Sequence, residues 1–357
     1  MYKLALLTIA LAGCSSTPAP DAHPVADARA EPAAVAEASA PQVDKINPRL
    51  LRRFKPVRAD LAGGVPSTPA MVTLGRQLFF DKRLSKNHNQ SCNTCHQLDR
   101  YGVDGQVTSV GSSGERGRRN SPSVYHAAGQ FSNFWDGRAD NVEDQAGKPI
   151  MNPVEMGMGP PADVMAVVGS VPGYVEEFHA AFPGDAQPVT FENLDRAIGA
   201  FERKLVTPSR WDRYLTGDHA ALTADEVAGL KLFTDIGCVT CHTGELVGGS
   251  MFQKVGVMQP WPNQSDRGRA EVTHQAADEM QFKVPSLRNV AKTAPYFHDG
   301  SIATLPEAVR MMARYQLGEE LGDDDIRLIV AWLGSLTGEL PAEYIKAPAL
   351  PPDGPAR

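Results

Sequence analysis

Cys92-Asn93-Thr94-Cys95-His96 and Cys238-Val239-Thr240-Cys241-His242 take up four of the five cysteines in this 357-residue chain. Each reads as a covalent c-type haem attachment motif. Two thiols at this spacing reach the two vinyl groups on one porphyrin edge, and the next His reaches the iron. A redox dithiol needs no following His. A four-Cys zinc site would need two pairs 146 positions apart to converge. The expectation is two covalently bound haem c groups, held by Cys92, Cys95 and His96 and by Cys238, Cys241 and His242.

Similar sequence surrounds both motifs. Leu78-Phe79 precedes the first and Leu232-Phe233 the second. Downstream, Arg119-Asn120 leads to Phe134-Trp135-Asp136-Gly137, and Arg288-Asn289 leads to Phe297-His298-Asp299-Gly300. One cytochrome-like unit used twice is the simplest reading. Helical signals dominate. Thr223 to Glu226 is a capping box. Leu194, Ile198, Phe201 and Leu205 recur at helical spacing, and Ile326, Ile329, Val330 and Leu333 stripe a helix starting after Asp323–Asp325 and stopping near Gly338. Strand signals are sparse, and long loops are expected at Gly102–Pro122 and Gly244–Gln281. The fold expected is mainly α: two cytochrome c-like haem domains with long irregular loops, 45–210 and 211–357, meeting at Thr207-Pro208-Ser209-Arg210.

The fifth cysteine has another setting. Met1-Tyr2-Lys3 is followed by an apolar run from Leu4 to Gly13, which reads as a secretory signal too short to span a bilayer. It ends Leu11-Ala12-Gly13-Cys14, similar to the bacterial lipobox, so 1–14 is expected to be a lipoprotein signal with Cys14 lipidated. Residues 15–44 are rich in Ala, Pro, Asp and Glu and lack aromatics. They are expected to form a disordered tether. The protein is then periplasmic and held to a membrane through its lipid, and Ser15 after Cys14 leans toward the outer membrane. Net charge of −7 and a pI of about 5.7 argue against nucleic acid as a partner.

From about Pro66 onward the chain resembles the bacterial dihaem cytochrome c peroxidases. Phe134-Trp135-Asp136-Gly137-Arg138, Val154-Glu155-Met156, Lys283-Val284-Pro285-Ser286-Leu287-Arg288-Asn289 and Pro295-Tyr296-Phe297-His298-Asp299-Gly300 carry the resemblance. It implies that the C-terminal haem accepts electrons from a small cytochrome c or cupredoxin and has Met312 as its second axial ligand. Thioether ligation raises a haem potential. Met311 is expected on another side of the helix. A branch that oxidises tryptophan in a partner protein carries Tyr at this position, so Met312 argues for a peroxidase. The N-terminal haem is then the H2O2 site, with Glu155 as acid–base group, Gln145 positioning peroxide and Trp135 relaying electrons. The resemblance also implies one Ca2+, held by the Asn120 side chain and the carbonyls of Thr293 and Pro295. Family members are often homodimers, though no interface is legible here.

One position departs from the family. Many members close the resting peroxide haem with a loop His, and the aligned residue here is Ser112. His126 is a weak substitute. Loss of reductive gating is the expectation. Two other readings stay open: a dihaem oxidase of a protein or organic substrate acting through high-valent iron, and a non-catalytic electron carrier.

Overall fold

Side-chain caps written in the sequence start several of the helices. Thr68 accepts from the Met71 N–H and opens the helix Pro69–Phe80, and Thr190 accepts from the Asn193 N–H and opens the helix Phe191–Glu202. Thr223 and Glu226 form the expected capping box at the start of the helix Ala224–Asp235. The computed structural model describes residues 46–61, 63 and 67–354. The signal segment, Cys14 and the 15–44 tether lie outside the described residues. All that follows concerns the compact unit Val43–Arg357.

Its helices are α1 (Pro48–Leu51), α2 (Pro69–Phe80), α3 (Cys92–Cys95), α4 (Val142–Met151), α5 (Pro161–Gly169), α6 (Pro172–Ala181), α7 (Phe191–Glu202), α8 (Arg210–Leu215), α9 (Ala224–Asp235), α10 (Ala270–Thr273), α11 (Leu305–Met312) and α12 (Asp323–Ser335). A two-stranded antiparallel ribbon joins β1 (Phe252–Lys254) to β2 (Gln281–Lys283). The chain is mainly helical, as expected. In detail, α7 stops at Glu202, so Leu205 packs from the turn beyond it. The three acids Asp323–Asp325 lie inside the first turn of α12, where they complement its dipole, and that helix ends at Ser335. The second long loop is broken by β1 and α10.

Two hydrophobic cores organise the unit. The first gathers Leu74, Leu78 and Phe79 of α2, Ile150 of α4, and Leu194, Ile198 and Phe201 of α7. The second gathers Leu230 and Phe233 of α9 with Trp211, Ile329, Trp332 and Leu333. Each is centred on a tightly apposed helix pair. A Cβ at Gly75 of α2 would lie 1.8 Å from the Ala197 carbonyl oxygen in α7, and one at Gly229 of α9 would lie 1.9 Å from that of Leu328 in α12. Gly75 precedes Leu78-Phe79 by the interval at which Gly229 precedes Leu232-Phe233, so the repeat extends into packing.

The repeat register differs downstream from the sequence reading. His126 and Asn289 both have φ +62°, and each starts a short 3-10 turn. Each lies eight residues before a positive-φ Phe, Phe134 at +63° and Phe297 at +69°. The true counterparts are therefore Pro122–His126 and Pro285–Asn289, and Arg119-Asn120 is not the partner of Arg288-Asn289. In the segment 207–210, Thr207 and Ser209 are buried and Pro208 is exposed. Thr207 N–H donates to His126 Nε2 (3.0 Å) and Asn289 Nδ2 donates to Thr207 Oγ1 (2.9 Å).

Candidate active site

Ser91 and Thr94 form a capping box that fixes α3, placing Cys92 and Cys95 one turn apart with His96 at its C-cap. The three line a cavity of about 540 Å³. Its wall also holds Asn120, Trp135, Gln145 and Glu155, so the structure brings together the residues expected around the N-terminal haem. The donor set fits that group. His96 Nδ1 is 3.3 Å from the Gly102 carbonyl oxygen, which leaves Nε2 for a metal. Burial lowers the His96 pKa, favouring the neutral imidazole that ligation needs. It also pushes the Cys95 thiol up to about 11, unlike a reactive redox thiol.

The second motif repeats this device. His242 Nδ1 lies 3.2 Å from the Val247 carbonyl oxygen, and burial pulls its pKa down to about 4. Cys238 packs against the second core. Met312 ends α11, just where the chain loosens into a π-helical turn at Ala313–Leu317. It is half-buried against the cluster of Trp261, Met280 and Phe282. Met311, its neighbour in the sequence, rests on that cluster too.

Glu155 follows α4 in a turn fixed by Asn152, whose Oδ1 accepts from Val154 N–H and whose Nδ2 donates to Glu155 Oε1 at 2.8 Å. Burial raises the Glu155 pKa, while the Arg138 charge and the Asn152 hydrogen bond oppose the rise. Sequence reasoning missed Asn152 and Arg138. The Asn at three positions before the Glu was the available signal. Gln145 is carried on α4, whose N-cap is Asn141.

Trp135 lines both this cavity and a second one of about 110 Å³. Its Nε1 donates to the Asn120 carbonyl at 2.9 Å, and its ring meets that of His298 edge-on at 6.4 Å. The second cavity brings together Asn120, Thr293 and Pro295. Asn120 Nδ2 donates to the Gln106 and Val107 carbonyls, leaving Oδ1 as the oxygen to offer a cation. Among the described residues, no cluster of three or more His, Cys, Asp or Glu forms a metal site.

Ser112 is 4% exposed and is absent from the cavity wall. Its Oγ donates to Asn89 Oδ1 (2.8 Å) and accepts from Asn87 N–H (3.1 Å), and its own N–H donates to the Glu155 carbonyl (2.6 Å). His126 is also absent from that wall; its Nε2 is engaged by Thr207, so it is a structural residue and not a substitute ligand. Among the described residues, no helix is long and apolar enough to cross a membrane.

Residues 69–220 match the family model described as di-haem cytochrome c peroxidase. The chain is 44% identical over 317 residues to the cytochrome c551 peroxidase of Pseudomonas aeruginosa, covering 86% of this chain and 91% of that one. It is 35% identical over 299 residues to the methylamine utilization protein MauG of Methylorubrum extorquens, covering 80% and 83%. Among solved structures, a MauG-like protein associated with microbial copper homeostasis matches with a TM-score of 0.70 at 28% identity, covering 87% of this chain and 99% of that one.

Proposed function

The chain belongs to the di-haem cytochrome c peroxidase family, and from that premise we propose that it reduces hydrogen peroxide to water with electrons from a small cytochrome c or cupredoxin. Membership implies two c-type haems. The reaction is H2O2 + 2 electrons + 2 protons → 2 H2O. The observation that carries the proposal is the single cavity that gathers Cys92, Cys95 and His96 with Glu155, Gln145 and Trp135.

When bound, the haem supplies the iron at which peroxide is reduced. The protein's own residues do the rest. The Gly102 carbonyl orients His96. Glu155 takes a proton from one peroxide oxygen and returns it to the departing one. Asn152 holds the Glu155 carboxylate in place and favours its ionised form, which can begin as base. Gln145 positions the peroxide; His242 and Met312 would hold the C-terminal haem, and Trp135, fixed through Nε1, would be the relay for its electrons. The neutral oxygens of Asn120, Thr293 and Pro295 suit one Ca2+ between the halves.

The enzyme works without reductive gating. Ser112 stands where many members have a ligating His, and its hydroxyl is engaged by Asn87 and Asn89. In the cell the protein is a periplasmic lipoprotein anchored through Cys14 by the 15–44 tether. Stopped-flow turnover with reduced cytochrome c tests the mechanism, comparing fully oxidised with one-electron-reduced enzyme. Equal, immediate turnover is expected. A lag in the oxidised enzyme would mean that another residue closes the site, and no turnover with any donor would favour an oxidase of another substrate.

A further inference from the structure

Lys283 ends β2 at the wall shared by the two cavities and lines both. It is only 6% exposed. Its backbone N–H donates to the Trp135 carbonyl at 2.8 Å, fixing it beside that residue. An ammonium carries three N–H donors. Two are engaged by neutral acceptors, Gln130 Oε1 and the Ser132 carbonyl. No carboxylate pairs with Nζ among the described residues. Asp136 is the acid whose charge reaches it, and that carboxylate is already paired with Arg119 and Arg138. The other carboxylates in the cavity wall, Glu155, Glu202 and Glu271, make no ion pair with it, and Glu271 is paired with Arg118 and Arg119.

A buried cation without a counter-ion is costly. Burial pulls the Lys283 pKa down to about 7, and only Asp136 opposes this. A haem brings two carboxylates into the cavity that this ammonium lines. We propose that Lys283 is the counter-ion for a haem carboxylate in the first cavity, and that its charge raises the reduction potential of that haem. A fixed positive charge, or a neutralised carboxylate, stabilises the form carrying the extra electron. The third Nζ donor is the one available for the pairing.

The inference rests on the first cavity holding a haem. The test uses the holoprotein and its K283M and K283R variants. Peptide mass across Cys92–Cys95 first establishes haem attachment, and its absence in the wild type would defeat the site reading itself. With attachment present, spectroelectrochemistry at pH 7 should show a lower N-terminal haem potential in K283M and a wild-type-like one in K283R. Resonance Raman should show the haem propionate bending band shifted in K283M only. If K283M does not accumulate folded, K283Q keeps an amide donor but loses the charge and gives the same comparison. An unchanged potential and unchanged propionate band in a fully loaded charge-loss variant would overturn the proposal.

Discussion

Glu155 is set by two opposed influences: burial favours the neutral acid, while Arg138 and Asn152 favour the carboxylate. N152A removes a hydrogen bond to the ionised form, so the Glu155 pKa rises further. The acid limb of the kcat/KM pH profile therefore moves to higher pH in N152A, and turnover at neutral pH falls. E155Q, which cannot accept the proton, is expected to lose about 10²–10⁴-fold in turnover. Glu202 lines the same cavity with Oε2 unpartnered. Burial first, then the like charge of Glu143, push its pKa up to about 8, with Arg203 opposing. An unfolded Glu titrates near 4.3, so the folded state holds the extra proton between roughly pH 4.3 and 8. The stability tied to that proton is complete below the lower value and is lost as pH rises through the upper one. E202Q should flatten this dependence: wild-type Tm falls relative to E202Q from pH 5 to 8, and parallel curves would refute the assignment. The attachment residues of the site were legible because spacing alone encodes them. Glu202, Asn152 and Lys283 were not, because a carboxyl or ammonium gains its meaning from burial, which one sequence does not display.

The two cores each depend on a helix crossing with no room for a side chain. G75A places a methyl against the α7 backbone and G229A places one against α12. Backbone cannot rotate aside, so each substitution should destabilise by roughly 1–3 kcal/mol. Urea denaturation checks this, and an unchanged or raised midpoint would show that the helices shift to admit the methyl. Caps and apolar stripes make α7, α9 and α12 readable in the sequence, since they are local signals. The downstream register of the repeat was misread for a physical reason. Arg-Asn matched as a dipeptide, whereas the structural correspondence lies in the left-handed residues His126 and Asn289 and in the prolines four positions before them. A left-handed backbone leaves only a weak trace in residue type. The β1–β2 ribbon was missed because three-residue strands give almost no periodicity.

The two ends of the described chain cross over. Ile46 and Phe54, from the start, sit in the second core, where Phe54 meets Trp211 at 5.3 Å and Trp332 at 6.2 Å edge-on. Leu340, Tyr344 and Ile345, from the end, pack on the first core. Tyr344 stacks on Phe201 at 5.1 Å and its hydroxyl donates to the Phe201 carbonyl at 2.8 Å. Arg76 Nε on α2 donates to the Lys346 carbonyl at 2.9 Å, and Gln77 Nε2 reaches the Ala349 carbonyl at 3.2 Å. The last segment is thus a strap across α2 and α7, far in sequence from both. Nothing in the Pro-rich run from Pro341 onward announces this, because docking of a tail is a long-range event with no local pattern. Removing residues 340–354 should therefore weaken the core opposite to the one nearest in sequence. Amide hydrogen exchange on the truncated holoprotein is expected to lose protection in α2 and α7 while α9 and α12 keep theirs. Equal loss in both pairs would mean that the two cores open as one cooperative unit and that the strap stabilises the whole.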